Sequence, residues 1–214
     1  LLERYDILLI VDEVISGFYR TGNMFATEIY GLKPDLITMA KALSAAYQPL
    51  GAVMINEKIH QVLIEGSRKF GIFGTGFTYS GHPVPCAVAL EAQKIYQERR
   101  IGEHVKSVMS CFQHRLHAFA DHPLVGETRG LGLIGAVELV EDKATRTNFD
   151  PARKVGPWVM NRAQEHGLII RALINDTLAF CPPLIIDEQQ INEMFDCFAK
   201  ALDDAMHHFA GNGD

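Results

Sequence analysis

The sequence predicts an α/β fold with a mixed, mostly parallel sheet over residues 1–120, followed by a smaller α+β domain over 121–214. Three observations carry that reading. Residues 7–11, Ile-Leu-Leu-Ile-Val, form a continuous apolar run that ends in Asp12-Glu13, the pattern of a strand covered on both faces in a parallel sheet. Further short apolar runs follow it, separated by Gly- and Pro-marked turns and by helical stretches. Beyond His122-Pro123 the texture changes to Gly-punctuated strand pairs and one long amphipathic helix, which sets the boundary near 120.

Taken in order, residues 35–40 read as a second strand, delimited by Gly31 and Pro34, with Lys41 just past its end. Residues 51–55 form a third. A helix over 57–69 then places Ile59, Val62 and Leu63 on one face. The loop 71–81 carries four glycines and leads into two helices that run to about 120 and break near 99–102. Their apolar stripe reads Val88, Ile95, Val105, Val108, Phe112 and Leu116. A strand pair over 125–140, a helix over 151–166 and strands over 168–172 and 177–181 follow. Pro182-Pro183 stops the last strand, and a helix over 187–209 takes Asp187 as its N-cap.

Composition narrows the function. With 48% hydrophobic and 21% charged residues the chain is an ordinary globular sequence. A formal charge of -6 provides no basic field for nucleic acid or an anionic membrane surface, so a small-molecule partner fits better. No apolar run approaches the roughly 20 residues of a membrane span and no leader pattern opens the chain, so a cytoplasmic protein is expected. Cys86, Cys111, Cys181 and Cys197 are scattered without ligand spacing and read as buried free thiols, a disulfide pair being the alternative. The dispersed histidines, His207-His208 included, have no carboxylate at ligand spacing, and no metal site is expected. The opening Leu1, with an apolar run starting almost at once, reads as a chain lacking an upstream part.

In open α/β sheets ligands sit outside the carboxyl ends of the strands, where both Asp12 and Lys41 fall. A lysine among apolar neighbours loses its proton more easily and attacks carbonyl carbons. A lysine bound to pyridoxal phosphate is accompanied by an acid that faces the pyridine nitrogen. By themselves, an acid and a lysine 41 − 12 = 29 positions apart are also what solvent-facing strand-end charges would look like.

The flanking text adds to this. Asp12-Glu13-Val14-Ile15-Ser16-Gly17-Phe18-Tyr19-Arg20-Thr21-Gly22, Pro34-Asp35-Leu36-Ile37-Thr38-Met39-Ala40-Lys41-Ala42-Leu43, Pro49-Leu50-Gly51-Ala52-Val53 and Gly76-Phe77-Thr78-Tyr79-Ser80-Gly81-His82-Pro83 resemble the successive motifs of class III pyridoxal-phosphate aminotransferases, of fold type I. The resemblance continues through Arg129-Gly130-Leu131-Gly132-Leu133 and Pro182-Pro183-Leu184-Ile185-Ile186, and so covers essentially the whole chain.

The resemblance implies that residues 1–120 are the C-terminal part of a cofactor-binding large domain and that the cofactor is pyridoxal 5'-phosphate. Asp12 is similar to the aspartate that keeps the pyridine nitrogen protonated, and Lys41 to the Schiff-base lysine that also carries the proton of the transfer. Val14, further along the strand direction, would lie against the ring, with sheet packing as a compatible role. Thr78, with Phe77 beside it, resembles the threonine that binds the cofactor phosphate of the other subunit. That implies a homodimer with shared sites, and capping of a turn is the alternative.

Arg171 is similar to the carboxylate-binding arginine of ω-amino acid:pyruvate aminotransferases, the alternative being a surface salt bridge. Segments 125–130, 138–143 and 148–151 also resemble that branch more than the 4-aminobutyrate or ornithine branches. Ala42 and residues 44–48 depart from the family pattern and bear on pocket shape. The family's upstream Gly/Ser phosphate loop and ring-stacking aromatic have no counterpart here, so the fragment by itself is expected to be inactive. The implied activity is transfer of an amino group from an amine or ω-amino acid to a keto acid, pyruvate in particular. Another class III enzyme using the same Asp12 and Lys41 (a 4-aminobutyrate-type aminotransferase, an aminomutase or a decarboxylase), or a non-catalytic truncated chain, are the rivals.

Overall fold

A computed structural model describes residues 1–210. Within it the chain divides into two compact units, Leu1–Gly102 and a second that begins at Glu103. This division falls earlier than the change of texture near 120. The helix 101–117 buries Val105, Val108, Phe112 and Leu116 in the core of the second unit.

In the first unit, β1 (Ile10–Asp12), β2 (Leu36–Met39) and β3 (Ala52–Ile55) form a sheet in that order, with β1 parallel to β2 and β3 antiparallel to it. Asp35 ties the lower ends together. Its carboxyl oxygens accept the Leu9 N–H at 2.8 Å and the Asn56 side-chain N–H at 2.6 Å. Asn56 in turn caps α2 (Glu57–Phe70) by accepting the Ile59 N–H at 3.0 Å.

Of the strand read over 7–11, Ile10–Asp12 pair as β1, and Ile7, Leu8 and Ile10 are exposed within this chain. Among the described residues β1 pairs with β2. A one-turn helix, α1 (Ala26–Ile29), was not expected from the sequence. The buried Glu13 holds it in place. Its carboxyl group accepts the Thr27 N–H at 2.8 Å, the Ala26 N–H at 3.1 Å and the Ser16 hydroxyl.

α3 (Pro83–Glu98) and α4 (Ile101–His117) break where expected. On α3 the inward stripe is Ala89, Ala92, Gln93 and Tyr96, an i, i+3, i+4, i+7 set, while Ile95 is exposed.

The second unit is an antiparallel sheet ordered β4 (Val125–Leu131), β5 (Ile134–Leu139), β7 (Thr177–Phe180) and β6 (Arg171–Leu173), with α4, α5 (Val155–Glu165) and α6 (Glu188–Ala210). Phe112, Phe180, Phe195 and Phe198 are fully enclosed, with ring centroids 4.9–5.3 Å apart along the chain of contacts. Gly135 faces Leu116 and Phe112 so closely that a Cβ there would lie 2.4 Å from Leu116. Asp187 caps α6 as predicted: it accepts the Gln190 N–H at 2.8 Å, and Gln190 accepts the Asp187 N–H in return.

The single helix read over 151–166 is corrected to a 3-10 turn, Pro151–Arg153, and α5, separated by Lys154 at φ 50°. Asp176 supplies the new N-terminus by accepting the Gly156 N–H at 2.7 Å. The four cysteines are free, but Cys181 is exposed and the others are half-buried, because none lies on the packed faces of the helices or strands. No helix of the described residues is long and apolar enough to cross a membrane.

Candidate active site

Asp12 and Lys41 follow adjacent parallel strands. Asp12 is register partner to Thr38, and Lys41 lies three residues further along. Their Cα atoms are therefore no more than roughly 16 Å apart. Both residues stand at the carboxyl ends of these strands, the position where open α/β sheets present ligand-binding groups.

One oxygen of Asp12, Oδ1, accepts the Val14 N–H at 2.9 Å and the Thr38 hydroxyl at 3.2 Å. These bonds fix the plane of the carboxyl group, and Oδ2 has no hydrogen bond among the described residues. Val14 does not continue the strand. β1 ends at Asp12, and Val14 stands in the turn that closes over that carboxyl group, half-buried.

Lys41 begins a 3-10 turn, Lys41–Ser44, at φ 44°, and Ala45 and Ala46 also have positive φ, at 50° and 59°. L-residues are uncommon there, so contacts from outside must hold the turn. Internal bonds run from Leu43 N–H to the Ala40 carbonyl and from Ala46 N–H to the Lys41 carbonyl, at 2.9 and 3.0 Å. The buried Ser44 donates its hydroxyl to the Gln48 carbonyl at 2.6 Å. Helix α3 supplies the rest: Tyr96 donates to the Ala42 carbonyl at 2.9 Å, and Gln93 to the Leu43 carbonyl at 2.9 Å. The Lys41 side chain is exposed, and its amine has no hydrogen bond or ion pair among the described residues.

Phe77 and Thr78 lie on the exposed loop before α3. The turn there is closed by Ser80, whose hydroxyl accepts the Phe77 N–H while its N–H donates to the Phe77 carbonyl, both at 2.9 Å. Thr78 therefore does not cap the turn. Its own N–H and hydroxyl have no partner among the described residues.

Arg171 belongs to the second unit. It opens β6 rather than ending a strand over 168–172, since the chain turns at Gly167 with φ 91°. It is exposed and has no carboxyl partner among the described residues, in contrast to Arg115, Arg129, Arg153 and Arg162, which do. Among the described residues Arg171 therefore makes no surface ion pair.

No group of three or more His, Cys, Asp or Glu side chains that could hold a metal ion occurs among the described residues. A site for pyridoxal phosphate fits better what is present: a fixed carboxyl group with an unused oxygen, an unpaired amine on the neighbouring strand end, and an uncommitted threonine.

Sequence reasoning missed Gln93 and Tyr96. Their signal was two polar side chains three residues apart, in phase with Ala89 and Ala92 on the buried face of α3.

Comparison with known proteins gives a consistent result. A family model described as Aminotransferase class-III matches residues 1–202. The chain is similar to gamma aminobutyrate transaminase 1, mitochondrial, of Solanum lycopersicum, at 46% identity over 94% of this chain and 39% of that protein. It is similar to gamma-aminobutyrate transaminase 1, mitochondrial, of Oryza sativa subsp. indica to the same extent, 46% over 94% of this chain and 39% of that one. Among solved structures, a transaminase with L-alanine matches at 48% identity and a TM-score of 0.93, over 97% of this chain and 49% of that one. The omega transaminase from Pseudomonas jessenii in complex with PMP matches at 45% and 0.92, over 100% of this chain and 47% of that one. The chain spans about two fifths of the length of these curated relatives and about half of the solved chains.

Proposed function

The chain belongs to the class III aminotransferases, and on that premise we propose that the whole protein moves an amino group from an amine or ω-amino acid to a keto acid, with pyruvate as acceptor. The observation that carries this reading is the placement of Asp12 and Lys41 on neighbouring parallel strand ends, each with polar atoms that the fold does not use.

Pyridoxal phosphate, the cofactor of the class, supplies when bound an electron sink for charge that develops at the substrate carbon. Asp12, oriented by its bonds from Val14 and Thr38, would hold a proton at the pyridine nitrogen of the bound cofactor. Val14 would pack against the ring. Lys41 would hold the cofactor covalently through its amine until the substrate amine takes its place, and would then carry a proton to and from the substrate carbon as base and acid in turn. Thr78, with its free N–H and hydroxyl, binds phosphate from a second copy of the chain, Phe77 standing beside it. The resemblance of this loop to that of the class supports a homodimer with shared sites. Arg171 takes the substrate carboxylate in a two-pronged hydrogen bond, for which its unpaired guanidinium is suited.

The names of the relatives support gamma-aminobutyrate, itself an ω-amino acid, as the first donor to test. The neighbour bound to L-alanine supports pyruvate as acceptor, because alanine is the amino acid that pyruvate becomes. The whole protein, supplied with pyridoxal phosphate, gamma-aminobutyrate and pyruvate, is expected to form alanine, and with L-alanine as donor to release pyruvate. Transfer to other keto acids but not to pyruvate would remove the acceptor from the proposal. Absence of transfer to any keto acid would remove the reaction.

A further inference from the structure

Two turns of this chain hold non-glycine residues at positive φ next to the candidate site. One follows β1, with Phe18 and Tyr19 at 57° and 73°; the other is the Lys41 turn, with Lys41, Ala45 and Ala46 at 44°, 50° and 59°. Conformations of this kind persist only where the surroundings over-determine them. The side chain of Tyr96 meets both turns. Its hydroxyl donates to the Ala42 carbonyl at 2.9 Å, and its ring sits edge-on to Tyr19, with centroids 6.3 Å apart and planes at 88°. Tyr19 also has a slot reserved for it, since a Cβ on Gly102 would lie 2.7 Å from its ring.

We propose that Tyr96 is a positioning residue for Lys41, a bracket on α3 that locks the turn carrying the lysine to the turn that follows Asp12, with Gln93 as its second anchor. Within the turn the Ala42 carbonyl accepts the Ala45 N–H in a long bond of 3.3 Å, and Tyr96 adds a second, shorter one at 2.9 Å. Gln93 holds the Leu43 carbonyl in the same way, so the two residues after the lysine are tied to side chains about 50 positions further along the chain. Burial raises the phenol of Tyr96 above its ordinary value, against the opposing pull of Arg20, so the hydroxyl keeps its proton and remains a donor over the working pH range. Neither side chain needs to touch substrate. Their effect is to fix where the amine of Lys41 starts from, and small misplacements of a reacting group are costly in rate.

This inference rests on the reading of Lys41 as the covalent lysine, and its test separates the two. In the whole protein, Tyr96→Phe keeps the ring and removes the hydroxyl, and Gln93→Met keeps the length and removes the donor. Three quantities are compared with the wild type: the rate at which Lys41 is labelled by pyridoxal phosphate and borohydride, read by peptide mass; the pH midpoint of the visible band of the bound cofactor; and the split between kcat and KM. Each variant is expected to slow labelling and lower kcat by about threefold to tenfold, the loss of one hydrogen bond, with a shifted pH midpoint and KM little changed.

If both variants label at the wild-type rate with an unchanged midpoint and differ only in thermal midpoint, the two residues are structural and the inference fails while the function stands. If wild-type Lys41 is not labelled at all, the functional reading fails and takes the inference with it. Should Tyr96→Phe not fold, Gln93→Met decides by the same measurements.

Discussion

The two units of this chain are built on different physics. The second is held by a dry interior, in which Phe112, Phe180, Phe195 and Phe198 interlock with Leu116, Leu133, Leu139 and Val137, all fully enclosed. The order of the first comes from polar anchors: Glu13 on α1, Asp35 across the strand starts, and Gln93 and Tyr96 on the Lys41 turn. Five of the six candidate site residues lie in this unit. A site built on strand ends and turns needs polar groups in fixed, partly strained positions, and an apolar core cannot specify those. Hydrogen bonds from distant side chains can.

The largest expected effect breaks chemistry and leaves the fold intact. Lys41→Ala in the whole protein is expected to abolish borohydride labelling and to lower amino transfer by at least about 100-fold, with little change in thermal midpoint, because the amine has no hydrogen bond or ion pair to lose among the described residues. Retention of either labelling or activity would reassign the covalent residue. Next comes the dry core. Phe195→Ala opens a space among Phe112, Phe119 and Phe180 and should destabilise the second unit by about 3–5 kcal/mol. Urea unfolding followed by Trp158, the chain's single tryptophan and a residue of that unit, measures it.

Glu13→Gln tests the polar architecture. The amide leaves one of the donors from Ala26, Thr27 and Ser16 facing another donor, at a cost of about 1.5–3 kcal/mol. Hydrogen exchange should show α1 opening without any change in the second unit. A cost as large as that of Phe195→Ala, spread over both units, would erase the distinction between them. Arg171→Ala asks whether the second unit also contributes chemistry. KM for L-alanine should rise about tenfold, with uncharged amines unaffected. An equal rise for both donor classes would return Arg171 to a structural role.

What was legible in the sequence divides along the same line. β2, β3 and α2 were readable because Gly31 and Pro34 mark the start of the second strand, the third is a short apolar run, and Ile59, Val62 and Leu63 recur at helical spacing, and α6 because Asp187 marks its start. Phe112 and Leu116 were readable as core from helical spacing alone. The buried face of α3 was misread, since apolarity favoured Val88 and Ile95 where the structure packs two alanines and uses Gln93 and Tyr96 as donors. The break at Lys154 was invisible because its cause, Asp176 on the Gly156 N–H, lies 20 positions on. Asp12 and Lys41 could be named because strand ends and motif are both local. The residues that hold the Lys41 turn could not, because they come from another helix.

The smallest predicted effect lies in the second unit, where a polar group is placed against the dry core. Nδ1 of His122 accepts the Leu124 N–H at 3.2 Å, which leaves the proton on Nε2. Nε2 is buried without a hydrogen bond, 3.9 Å from Asp203 on α6, while Lys143 donates to the His122 carbonyl at 3.1 Å. Burial lowers the imidazole below its ordinary value of 6.5; Asp203 acts in the opposite direction and Lys143 in the same one. As pH falls below about 6.5 the unfolded chain takes up this proton before the folded chain does, so stability is lost until the folded imidazole is also protonated. Above that pH the group contributes no slope. The Trp158 urea midpoint should therefore decline between pH 7 and 5, and His122→Asn, whose side-chain oxygen can still accept the Leu124 N–H, should flatten that decline. A midpoint that rises as pH falls would mean that attraction to Asp203 outweighs burial, and that the second unit too relies on a charged anchor.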